Sequence, residues 1–110
     1  MRTMIILLLL IASHSAYAYD DSKRYKAAKF YKNKAQSAVS NSKANLKGEC
    51  QLMLTMQHID RKYAQLKRIT HIGSPKICKI AKNKLKSYLN KSTRYDVTEK
   101  YLRIEVSRWD

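Results

Sequence analysis

Residues 49–72 read ECQLMLTMQHIDRKYAQLKRITHI, and the parsing of this stretch decides the fold. It holds neither Gly nor Pro. Leu52, Met56, Ile59, Tyr63 and Leu66 step by four and three, the spacing of one helix face, with Arg61 and Arg68 opposite. Read this way, the stretch is a central helix that begins just past Gly48, and Met53 and Met56 are core fillers.

The flanking segments fit the same parsing. Gly48, Gly73 and Pro75 are the only Gly and Pro in the chain, and all three fall between periodic runs. Upstream, residues 23–46 predict a helix capped by Asp20, Asp21 or Ser22. Its inner face is Ala28, Tyr31, Ala35, Ala38, Val39, Ser42 and Leu46, small enough for a close neighbour, with Phe30 pointing elsewhere. Downstream, Ser74-Pro75 is a strong helix start, since Ser caps well and Pro suits the first turn. There Ile77, Cys78, Ala81, Leu85, Tyr88 and Leu89 share a face, and Lys76, Lys79, Lys82, Lys84 and Lys86 occupy the rest.

At the C-terminus, Leu102, Ile104 and Val106 alternate with Arg103, Glu105 and Ser107 in the period of a strand. Asp96 and Glu99 also suit a capping box, which favours a short helix over 97–101. A strand would need a partner, and 69–72 is the one other candidate. The expected fold is therefore all-α: three to four helices, one disulfide, and a final segment open to either structure.

Cys50 and Cys78 are the only cysteines. In a small exported chain two Cys most often bond to each other. A straight helix over 49–72 would be about 35 Å long and would hold them apart, whereas a disulfide needs Cα atoms within about 7 Å. The expectation that reconciles the two is an intramolecular bond, with the helix ending near 66–68 and the chain returning extended to Pro75.

Residues 1–18 have the layout of a secretory leader: Arg2, an apolar run over 4–12, and Ala16-Tyr17-Ala18 at the cleavage point. The run is shorter than the ~20 residues that span a bilayer. The expected mature protein is one basic domain over 19–110, secreted or periplasmic, without a transmembrane span. The chain carries 23 Lys and Arg against 8 Asp and Glu, a net charge of +15. Loss of Arg2 with the leader removes only one of these. Most of the cations are Lys, mobile point charges suited to diffuse attraction rather than bidentate recognition.

Catalytic constellations are absent from the sequence pattern. There is no nucleophile elbow, phosphate loop or spaced ligand set, so neither cofactor nor metal is expected. His58 and His71 raise the idea of a secreted nuclease or toxin, with His as general acid and base. The favoured expectation is non-catalytic binding of an anionic envelope component or other polyanion through Lys26, Lys29, Lys32, Lys76, Lys79, Lys82, Lys84 and Lys86. The alternative is a regulator (inhibitor, exclusion or immunity factor) that binds an acidic protein through Phe30, Tyr95, Tyr101 and Trp109. Aromatics interleaved with cations also suit nucleic acid, a partner made less fitting by export.

Overall fold

The computed structural model describes residues 20–109; the expected leader over 1–18 and the expected mature start at Tyr19 lie outside them. Two helices pack on a four-stranded antiparallel sheet curved as a half-barrel, so the fold is α/β and the all-α expectation is overturned. Helix α1 (Lys26–Asn41) leads into β1 (Lys47–His58) and β2 (Tyr63–Gly73). Helix α2 (Pro75–Lys86), β3 (Ser92–Arg94) and β4 (Tyr101–Trp109) follow. The sheet order is β3-β2-β1-β4.

The stretch 49–72 is thus a hairpin. Cys50, Leu52, Leu54 and Met56 alternate strictly along β1 and are buried against the helices. The turn is built by Asp60, whose carboxylate accepts the N–H of Lys62 and of Tyr63, each at 2.8 Å. This side-chain turn takes the place of an Asn-Gly or Asp-Gly signal. Returning, Ala64 and Leu66 face inward until the register shifts: Thr55 pairs with Arg68 but Met56 with Leu66, leaving Lys67 as the extra residue of a bulge. Beyond it Ile69 is the inward residue. Of the supposed helical stripe, Leu52, Met56 and Leu66 are core, while Ile59 sits in the turn and Tyr63 on the outer face.

The other expectations fare variously. Helix α2 begins at Pro75 with Ile77, Cys78, Ala81 and Leu85 buried, as its pattern implies. Helix α1 is shorter than 23–46, and its N-cap residue is Tyr25. Asp20 and Asp21 bond to β4 instead of capping it. At the other end Arg108 of β4 donates to the carbonyls of Val39 (3.0 Å) and Ser42 (2.6 Å), which satisfies the helix terminus. The alternating C-terminal residues form β4, paired with β1 rather than with 69–72, and no helix forms over 97–101.

Both helices lie on one face of the sheet, α1 over β4 and α2 over β1 and β2. They run antiparallel. Phe30 and Tyr31 near the start of α1 meet Tyr88 past the end of α2, while Gly48, soon after α1, lies against Ser74 and Ile77 where α2 begins. The core between the layers joins Tyr31, Ala35, Val39, Ala81 and Leu85 to Leu52, Leu54, Leu102, Ile104 and Val106. Burial pushes the Tyr31 phenol up to about 12.

A disulfide joins Cys50 to Cys78 with Cα atoms 5.2 Å apart, tying the central strand to α2. The hairpin resolves the distance conflict, because β1 runs out and β2 runs back. Gly73 makes the tight exit into α2 possible. Its φ is +138°, and an added Cβ would lie 2.5 Å from the Glu49 carbonyl oxygen. Gly73→Ala is expected to cost at least about 2 kcal/mol and lower Tm by about 10 °C, read by thermal melting. An unchanged Tm would mean that this exit can relax.

Candidate functional site

The helix layer concentrates the cations. Helix α1 carries Lys26, Lys29, Lys32 and Lys34; α2 carries Lys76, Lys79, Lys82, Lys84 and Lys86. Neither helix contains an Asp or Glu. The sequence places these lysines outside the buried stripes, and the antiparallel packing brings both sets onto one outer surface. Lys32 and Lys82 are half-buried and the other seven are exposed. Of these nine lysines only Lys32 forms an ion pair among the described residues, with Asp20. Cations that exceed local anions so far produce a positive field over the whole layer.

Aromatic rings mark the seam between the helices. Phe30 packs edge-on against Tyr31 and Tyr88, each with centroids 5.4 Å away, and keeps 39% of its surface exposed. Lys34 places its ammonium 5.6 Å from the Phe30 ring centre. Lys34 was missing from the expected set, although its position four residues after Phe30 puts the two on one helix face. At the same end of the layer Lys23, Arg24, Lys26 and Lys29 surround an open depression at the start of α1.

Acidic residues gather at one border of this layer, along β4, where Asp20 meets Lys32. Burial alone would raise the Asp20 carboxyl, but hydrogen bonds from Lys32 and Ser22 hold it below the usual carboxylate range. Glu105 is shifted upward, first by burial and then by the adjacent Glu49 carboxyl. A raised folded-state value means that the favourable contribution of Glu105 is present below its unfolded pKa and fades as pH rises through the folded one. Glu105→Gln is therefore expected to leave Tm unchanged near about pH 4 and to raise it modestly near about pH 7, relative to the parent. A variant less stable than the parent at the higher pH would contradict this.

The proposed aromatic contacts separate. Tyr95 is 2% exposed, with its hydroxyl donating to the Glu99 carbonyl, so it has no surface to offer a partner. Tyr101 and Trp109 stand on the outer face of the sheet, away from both helices. Tyr63 and Ile72 share that face; the helical parsing put Tyr63 on the buried stripe, and the sequence reading gave Ile72 no contact role. Phe30 alone lies within the lysine layer.

His58 and His71 do not converge. His58 pairs in register with Ala64, and His71 pairs with Leu52, six positions back along β1. That separation is about 20 Å at 3.3 Å per residue, too far for both to face one phosphate. His58 bonds to the Val97 carbonyl through Nε2 and stacks on Tyr95. Among the described residues no three His, Cys, Asp or Glu side chains cluster as metal ligands, and no helix is long and apolar enough to cross a membrane. The chain matches no family model, no curated protein and no solved structure.

Proposed function

We propose that the protein is an exported, non-catalytic binding protein that holds an anionic surface or polyanion of the cell envelope against its α1–α2 face. One observation carries this reading: nine helical lysines share one surface layer with no helical carboxylate among them. Solubility alone asks for far less charge, and for both signs interspersed. Lysine heads on flexible stems suit a phosphate-bearing surface whose charges are not fixed in a single geometry. An added contribution of about 1 kcal/mol per lysine near an anionic membrane makes a multi-lysine face strongly adherent. Phe30, exposed at the seam, offers a ring that can enter the interfacial region beside those charges.

Export fits the same reading. The leader-like residues 1–18 and a disulfide between two fully buried sulfurs both suit an oxidising compartment. The test is sedimentation of the mature protein with vesicles of phosphatidylglycerol mixed with phosphatidylcholine, and with phosphatidylcholine alone. Binding to the first and not the second is expected. Equal recovery with both, or with neither, would overturn the proposal.

A further inference from the structure

The two edges of the sheet are finished in different ways. On β4 most of the outward backbone groups between Arg103 and Ser107 are occupied. Asp21 N–H donates to the Arg103 carbonyl at 2.6 Å, and Arg103 N–H donates to the Asp21 carboxylate at 2.9 Å. Glu105 N–H donates to Asp20 at 3.3 Å. The Gln36 side chain brackets Ser107, accepting from its N–H at 3.1 Å and donating to its carbonyl at 2.8 Å. Such covering prevents unwanted strand addition.

On the opposite side β2 is covered only at its start. Strand β3 pairs with residues 63–65, and Asn90 N–H reaches the Leu66 carbonyl at 2.8 Å. Among the described residues no strand pairs with 67–73 on the side away from β1. Bond alternation fixes which groups are left open. Since Arg103, Glu105 and Ser107 bond outward, Leu102, Ile104 and Val106 bond to Leu54, Leu52 and Cys50 of β1. The intervening Gln51, Met53 and Thr55 then bond to Ile72, Thr70 and Arg68 of β2. The backbone N–H and C=O of Ile69 and His71 therefore point out from the sheet.

We propose that this edge docks an extended acidic segment of a partner protein, which adds to the sheet as a fifth strand beside β2. Strand addition of this kind takes its affinity from main-chain bonds and its selectivity from alternate side chains. Charge sets the occupant. Strand β2 carries Lys67, Arg68 and His71 and no carboxylate, and Arg103 stands nearby on the same outer face as Arg68. A second copy of this chain would bring Lys67 and Arg68 up to an identical basic edge that has no carboxylate to meet them, an unfavourable approach of like charges. An acidic strand meets them with opposite charge. Apolar side chains are also provided for. Ile72 is 76% exposed, and beside it Met53, Thr70, Gln51 and Arg103 line a dimple of about 110 Å³. The fitting segment thus alternates acidic and apolar residues. This surface lies on the opposite side of the sheet from the lysine layer, and its failure would leave the vesicle result untouched.

The test uses a blocked peptide of about nine alternating glutamates and valines, long enough to run beside residues 67–73. Its control has the same sequence with alternate backbone amides methylated, which keeps the charge and removes the donors. With the plain peptide, amide exchange at Ile69 and His71 is expected to slow, and binding to exceed that of the control by at least about tenfold, the effect of losing one or two hydrogen bonds. His71→Pro removes an outward N–H and leaves the β1 ladder intact, so it should weaken the plain peptide by a similar factor. If that variant fails to fold, the exchange comparison on the parent protein decides. Equal binding of both peptides, protection confined to the helix lysines, or dimerisation of the chain through this edge would each overturn the proposal.

Discussion

The double variant Cys50→Ala/Cys78→Ala is expected to melt about 15–25 °C below the parent. The bond closes a loop of sequence separation 28, which in the chain-entropy picture stabilises the fold by about 3–4 kcal/mol. In a domain near this size each kcal/mol moves Tm by about 4–8 °C. The position of the bond adds to the effect. Cys50 lies mid-sheet between Gly73 and Val106, and Cys78 on the buried face of α2, so the link pins the helix layer to the central strand. Both residues are fully buried, and reductant should therefore act only as the protein opens. Calorimetry of parent and variant provides the measurement. A difference of less than about 5 °C would mean that packing alone holds α2 on the sheet.

The second large effect concerns binding and leaves the fold in place. Replacing Lys26, Lys29, Lys79 and Lys86 by Gln removes four exposed cations from the α1–α2 face. At about 1 kcal/mol each on an anionic membrane, affinity should fall by about a thousandfold. Stability should hold or rise slightly, because like charges no longer repel across the layer. The contrast between the two variants is diagnostic: the cysteine pair affects folding, the lysines affect adhesion. Titration with phosphatidylglycerol vesicles reads the loss. If the variant binds as the parent does, the lysine layer is only a solvated surface.

Parts of this fold were open to reading in the sequence, and the failures have local causes. Helix α2 was legible because Ser74-Pro75 marks its start and Ile77, Cys78, Ala81 and Leu85 keep helical spacing to its end. The pairing of Cys50 with Cys78 was legible from their number alone. The hairpin was hidden by three accidents. Asp60 closes the turn without a glycine, so no breaker interrupts residues 49–72. Met53 places an apolar side chain on the outer face and blurs the alternation of Cys50, Leu52, Leu54 and Met56. The bulge at Lys67 shifts the parity of β2, so that Ala64, Leu66 and Ile69 fit no single strand period. Leu52, Met56, Ile59, Tyr63 and Leu66 then fall at helical spacing by coincidence.

The candidate site divides similarly. Lysines on an amphipathic helix are visible in a sequence, since helical period places them opposite the buried stripe. Their union on one surface depends on α1 and α2 packing side by side over the same sheet face, a tertiary fact. The open edge of β2 was not legible, because the sequence offers 69–72 as a candidate strand on an extended return but does not say which strand lies beside it. Nor was the use of Asp20, Asp21 and Gln36 to cover β4, which joins residues more than 70 positions apart.

The most direct test of the central claim is the salt dependence of binding to phosphatidylglycerol vesicles. Exposed lysines act through a field whose range shrinks from about 10 Å at 0.1 M salt to about 3 Å at 1 M. Affinity is therefore expected to fall at least about a hundredfold between about 0.05 M and about 0.5 M salt, with the folded signal unchanged. Binding that keeps its strength across that range would contradict an electrostatic role for the lysine layer.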